Sequence, residues 1–137
     1  MSGLTDLNAM LARLDPQLDP AAYLFCLVTE TPCAALVADA LMLFREAEGT
    51  TLILDQERAR AAGVEGEGPY RRITLGVHSS LEAVGLQAAV AAALTDADIS
   101  TNMVAAFHHD HVFVPAARLD AALTALEALA DPAAQKG

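Results

Sequence analysis

Residues 71–115 read RRITLGVHSSLEAVGLQAAVAAALTDADISTNMVAAFHHDHVFVP, and this stretch decides the fold. Ile73, Leu75 and Val77 alternate with Arg72, Thr74 and His78, the period-two pattern of a half-buried strand over 72–78. Ser79 and Glu82 stand three apart, as in a capping box, so a helix is expected from Ser79 to about Asp96. Val84, Ala88 and Ala91, with Val90 and Leu94, mark its buried stripe, and the alanines allow close approach to a sheet. Residues 98–107 and 111–114 then read as a hairpin with His108, His109 and Asp110 at its tip. Pro115 suits the first turn of a last helix, whose inner face carries Leu119, Leu123, Leu126 and Ala130. The tail from Asp131 is expected to fray.

Working outward, Leu4, Leu7, Leu11 and Leu14 repeat at helical spacing, with Thr5 or Ser2 as the expected cap and Asp15-Pro16 as the stop. Residues 15–20 hold two Asp-Pro pairs and are expected to turn. Residues 22–29 (AYLFCLVT) are apolar at both parities, as in a strand buried on both faces. Residues 31–39 are a connection with room for one helical turn. Residues 40–45 and 50–54 form a first hairpin around Gly49. Asp55 caps a short helix that Gly63 ends. Residues 64–69 (VEGEGP) read as a linker; a phosphate cradle is rejected because Glu65 and Glu67 would repel the anion and no lysine follows.

The two hairpins are offset by 60 residues, Leu52 to Asp55 matching Val112 to Pro115, and a helix follows each. The order of elements implies a duplicated split βαβ sandwich, with the strand at 72–78 serving both copies. The composition narrows the partners. The net charge is -10, which disfavours nucleic acid and anionic membranes. No apolar run reaches the roughly 20 residues of a membrane span, and the first ten residues lack the pattern of a secretory signal. Cys26 and Cys33 lack zinc or redox spacing and are read as reduced thiols of a cytoplasmic protein.

VHSSLEAVGL, then a helix, then IS-N-VAA-HDH-FVP resembles the ACT domain, in particular small bacterial tandem-ACT proteins of uncharacterised function. LFREAEGTTLIL and Leu18-Asp19-Pro20 fit the same group. The resemblance covers residues 4–129 and implies an α+β, ferredoxin-like (βαββαβ) fold in tandem, its antiparallel sheets covered on one face by helices. The halves are expected at 1–69, with the N-terminal helix, and 70–137, joined as one inseparable unit. ACT domains sense small molecules, most often amino acids, and attach to or regulate metabolic enzymes. The implied partners are thus an amino acid or similar metabolite, a second copy in a homodimer, and a metabolic enzyme; no cofactor is implied.

The family's ligand site carries over to His78, Ser79, Ser80, Leu81, Gly85 and Leu86 at the strand-to-helix turn. It extends to Asn102, Met103 and Val104 on the next strand, and to Asp110, which would meet an ammonium group. A helix N-terminus there would suit a carboxylate. No catalytic or metal-ligating residue is assigned: adjacent strand positions face opposite ways, so at most two of His108, His109, Asp110 and His111 could share an ion, with His78 joining if its strand neighbours the hairpin. An alternative is a small enzyme with His78 or His109 as base and Asp110 or Glu82 as its partner. A closed, water-excluding pocket holding His78 and Asp110 within hydrogen-bond reach would favour that reading, and a shallow interface cleft would disfavour it. A purely structural or interaction protein is the third reading.

Overall fold

The computed structural model describes residues 6–131. The elements are α1 (Leu7–Ala12), β1 (Pro16–Val28), α2 (Ala34–Asp39), β2 (Met42–Glu46), β3 (Gly49–Asp55), α3 (Gln56–Ala62), β4 (Gly66–Leu75), α4 (Leu86–Asp96), β5 (Asn102–Ala105), β6 (Asp110–Pro115) and α5 (Leu119–Ala130), with a 3-10 turn at Ala116–Arg118 before α5. Residues 20–70 form one compact unit, and residues 1–19 with 71–137 form the other. The unit boundaries therefore fall inside β1 and β4.

The unit at 20–70 runs β1, α2, β2, β3, α3, β4, with strand order β2-β3-β1-β4. This is a complete βαββαβ pattern. Phe25 pairs with Ile53 and Cys26 with Leu52 in the antiparallel β1–β3 ladder, and Met42 pairs with Ile53 across the hairpin. Leu52 and Leu54 point with Cys26 towards Leu36 of α2 and Ala59 of α3, forming a small apolar core. Helix cover on that face alone explains a difference from the sequence reading: β1 is not buried on both faces, and Leu27 is 51% exposed. Asp55 caps α3, accepting from the Glu57 and Arg58 amides at 2.8 and 3.3 Å, and Gly63 ends it at φ 68°.

Residues 66–69 are strand, not linker. Gly66 and Gly68 are there because β1 passes close by. A Cβ at Gly66 would lie 2.7 Å from Cys26 Sγ, and one at Gly68 would lie 2.8 Å from the Tyr23 carbonyl.

The other unit holds strand order β1-β4-β6-β5 with α1, α4 and α5. It repeats the same pattern in permuted order, since its outer strand (16–19) comes from before the first unit. Residues 16–20 accordingly form strand rather than a turn. Asp19 is held there by Arg72, whose Nε and Nη2 donate to Oδ2 at 3.0 and 2.6 Å, while Arg71 Nη2 donates to the Asp19 carbonyl at 3.0 Å. Met10, Leu11 and Leu14 join Ile73, Leu75, Val77, Val90, Leu94 and Leu126 in the main core. Helix α1 thus packs as its leucine spacing requires, against α4 and α5. Asp6 is its cap, accepting from Ala9 N at 3.1 Å; Ser2, Thr5 and Leu4, and the tail beyond 131, lie outside the described residues.

Candidate functional site

Strand β4 stops at Leu75 because the chain there is tied to the α1–β1 turn. Gly76 N donates to the Asp15 carbonyl (2.9 Å) and Val77 N to the Leu14 carbonyl (3.3 Å). The next stretch corrects the expected helix start. Helix α4 begins at Leu86, seven residues after Ser79. Between them the chain makes a local turn in which Ser80 Oγ accepts from Glu82 N (3.1 Å) and the Ser80 carbonyl accepts from Ala83 N (2.9 Å). This side-chain-to-backbone bond competes with a helix, and Gly85, at φ 100°, bars helical continuation through its position. Ser79 and Glu82 form no capping box. Gly85 is the N-cap of α4, and no side chain caps that helix end.

Ser79 is buried instead, with its hydroxyl 3.4 Å from Asp110 Oδ2. Gln87, in the first turn of α4, donates from Nε2 to Asp110 Oδ1 at 3.1 Å. Asp110 is not a hairpin-tip residue as expected. It opens β6, opposite Ala105 of β5, and is 7% exposed. The tip lies at 107–109, closed by Ala106 N donating to the His109 carbonyl (3.0 Å).

These groups border a cavity of about 340 Å³. Of the ten residues expected at a ligand site, Ser79, Ser80, Leu81, Gly85, Leu86 and Asp110 line it. His78, Asn102, Met103 and Val104 do not. The β5–β6 register explains the three strand residues: Ala105 faces Asp110, so the cavity meets β5 at its last residue and continues to Ala106. Gln87 lines the cavity and was missed, because its role depends on the true start of α4. The remaining walls are apolar, with Ala83, Val84 and Ala88 from the turn and α4. Asp110 is the one charged side chain among the described lining residues. Its side-chain hydrogen bonds among the described residues are with the neutral Ser79 and Gln87.

The histidines divide. His111 points away from the tip, its Nδ1 2.9 Å from Thr74 Oγ1. Burial pushes its pKa below the usual imidazole value, Arg72 and His109 push the same way, and Asp110 opposes them. His78 instead meets the hairpin tip, its ring 5.2 Å from that of His108. Asp110 lines the cavity without His78, and its side chain meets Ser79 and Gln87. Among the described residues, no group of three or more His, Cys, Asp or Glu side chains is arranged to hold a metal ion. No helix among them is long and apolar enough to cross a membrane.

Models of the ACT domain match residues 2–71 and 67–128. A Vibrio cholerae protein described as of unknown function, possibly in transport, is 41% identical, with TM-score 0.82 over 95% of this chain and 100% of its own. An Agrobacterium tumefaciens protein is 15% identical, with TM-score 0.72 over 84% and 87% of the two chains. The regulatory subunit of aspartate kinase from Thermus thermophilus is 14% identical, with TM-score 0.60 over 82% and 93%. At those two identities the likeness is one of fold. No curated protein matches the sequence.

Proposed function

This chain belongs to the ACT-domain family, and from that premise we propose that it is a regulatory module that binds a free amino acid beside Asp110 and has no chemistry of its own. The observation that carries the reading is the buried Asp110 carboxylate, bordered by Ser79 and Gln87 and by no cationic side chain in the cavity wall. A ligand's ammonium group would supply the missing positive charge through charge-assisted hydrogen bonds. Its carboxylate would lie towards the start of α4, whose first amides no side chain caps. Leu81, Val84 and Leu86 would receive an aliphatic side chain. A cavity of about 340 Å³ is at the small end of ligand pockets, which suits an amino acid better than a nucleotide.

The working form in this reading is a cytoplasmic homodimer that modulates a metabolic enzyme. Leu81, Val84 and Phe107 support self-association, being 66, 82 and 70% exposed. Regulation requires that the ligand bind two packing states unequally. A thermal-shift panel of the free amino acids tests the proposal. At least one should raise the melting temperature in a concentration-dependent way; a flat response across the panel would remove its support.

A further inference from the structure

The unit at 20–70 carries its helices on one face of its sheet. Cys26, Leu52 and Leu54 take the side covered by Leu36 of α2 and Ala59 of α3. The pairs Phe25–Ile53, Leu27–Thr51 and Phe44–Thr51 alternate with them and so share the opposite face. Glu46, two residues beyond Phe44, joins that face, where Thr51 Oγ1 donates to its Oε1 at 2.8 Å. Ile53 is fully buried there, but Phe44 is 63% exposed and Leu27 half-exposed. Phe25, Leu27 and Thr51 floor an open groove of about 620 Å³, walled by Glu46, Glu65 and Glu67. The groove is thus largely apolar at its base and acidic at its rim. Among the described residues Glu65 and Glu67 have no ion-pair partner, and no Lys or Arg lines the groove. The arginines of residues 20–70 lie elsewhere: Arg58 and Arg60 hold Asp39 and Glu57 at 2.6 and 2.9 Å, and Arg45 alternates with Phe44 and Glu46 and takes the other face.

We infer that this face docks a basic amphipathic helix of a partner protein, its apolar strip on Leu27 and Phe44 and its Lys or Arg side chains beside Glu46, Glu65 and Glu67. The chemistry of the face selects that occupant. An exposed apolar patch with a polar rim marks a surface for another macromolecule, and a helix laid on it presents apolar residues and flanking charges together. Unpaired carboxylates at the rim call for cations on the partner. A second copy of the chain would bring the same three carboxylates to the interface, where like charges oppose docking, and the net charge of -10 acts in the same direction at longer range. The same unit lacks the carboxylate of the ligand site: at the 60-residue offset, Thr50 stands where the other unit has Asp110. The inference is independent of amino-acid binding at Asp110, because residues 20–70 contribute nothing to the lining of that cavity.

The test uses the intact chain and a fluorescein-labelled peptide of leucine and lysine, about 18 residues or roughly five helical turns long, with its leucines on one face. Binding is followed by fluorescence anisotropy and mapped through the backbone amide resonances. The peptide should bind, while a scrambled peptide of the same composition should bind at least tenfold more weakly. Phe44→Ser should weaken binding at least tenfold. Glu65→Gln combined with Glu67→Gln should weaken it at least threefold and flatten its salt dependence. Val37→Ser, a change on partly exposed α2, should stay within twofold of the parent. In the unmutated chain the amide shifts should centre on Leu27, Phe44 and Thr51, a readout that does not depend on how the variants fold. Sedimentation without peptide reads the competing occupant: a dimer that Phe44→Ser dissociates would assign the face to a second copy. That result, no binding, equal binding of the scrambled peptide, or shifts centred elsewhere would each overturn the inference.

Discussion

Replacing Leu14 by alanine tests whether the N-terminal segment belongs to the second unit. Leu14 is fully buried in the core built by Ile73, Leu75, Val90, Leu94 and Leu126. Its backbone carbonyl also receives the Val77 amide, so the site is pinned and has little freedom to collapse around a cavity. Leu→Ala changes in such cores cost about 2–5 kcal/mol, and the pinned backbone argues for about 3 kcal/mol or more. Against a domain stability of about 5–15 kcal/mol, that is a large fraction. At roughly 4 °C per kcal/mol for a protein of this size, the melting temperature should fall by about 10 °C. The chain has no tryptophan, so urea unfolding is best followed by far-ultraviolet circular dichroism. Glu127→Ala serves as the control: Glu127 is exposed on α5, and the change should stay within about 0.5 kcal/mol. A cost below about 1 kcal/mol for Leu14→Ala, with an unchanged denaturant slope, would refute the packing of α1 and its turn against residues 71–137.

Two further outcomes follow from single residues. Gly85→Ala must hold an L side chain at φ 100° and place its Cβ 3.2 Å from Leu7 Cδ2; it should cost about 1–2 kcal/mol in urea melts, while an unchanged midpoint would mean that α4 starts elsewhere. His111 has its pKa lowered in the folded state, chiefly by burial. Between its unfolded and folded pKa values the unfolded chain binds more protons, so this contribution to stability is complete above about pH 6.5 and is lost as pH falls below it. The melting temperature should therefore fall from pH 7.5 to 5.5, and His111→Gln should flatten that fall; an equal pH slope in the variant would exclude His111 as its source.

Much of the fold is written in local patterns. The apolar runs at 52–54 and 112–114 mark β3 and β6, and Asp55 and Gly63 bracket α3 by cap chemistry that acts within a few residues. What could not be read depends on partners far along the chain. Asp15 to Pro20 carries turn chemistry, yet from Pro16 on it is strand, where Arg72, 53 residues away, holds Asp19. VEGEGP looks like a linker, yet its glycines are required by the close passage of β1. At the site, Ser79 and Glu82 have the spacing of a capping box, and only the burial of Ser79 against Asp110 shows that the hydroxyl is used elsewhere. That misreading shifts the helix by seven residues and hides Gln87. On β5 the cavity meets Ala105 and Ala106 and not Asn102, Met103 or Val104, because the strand's register is set across the hairpin and not along it.

The central claim, that Asp110 receives the ammonium group of a free amino acid, is met most directly by calorimetric titration of free amino acids and their N-acetyl forms into the parent chain and Asp110→Asn. A hydrogen bond to a charged group contributes about 1.5–3 kcal/mol, or roughly 10- to 150-fold in affinity. At least one amino acid should bind the parent, its N-acetyl form should bind at least tenfold more weakly, and Asp110→Asn should show the same loss. Equal affinity in the parent and Asp110→Asn, or no binding by any free amino acid, would contradict it.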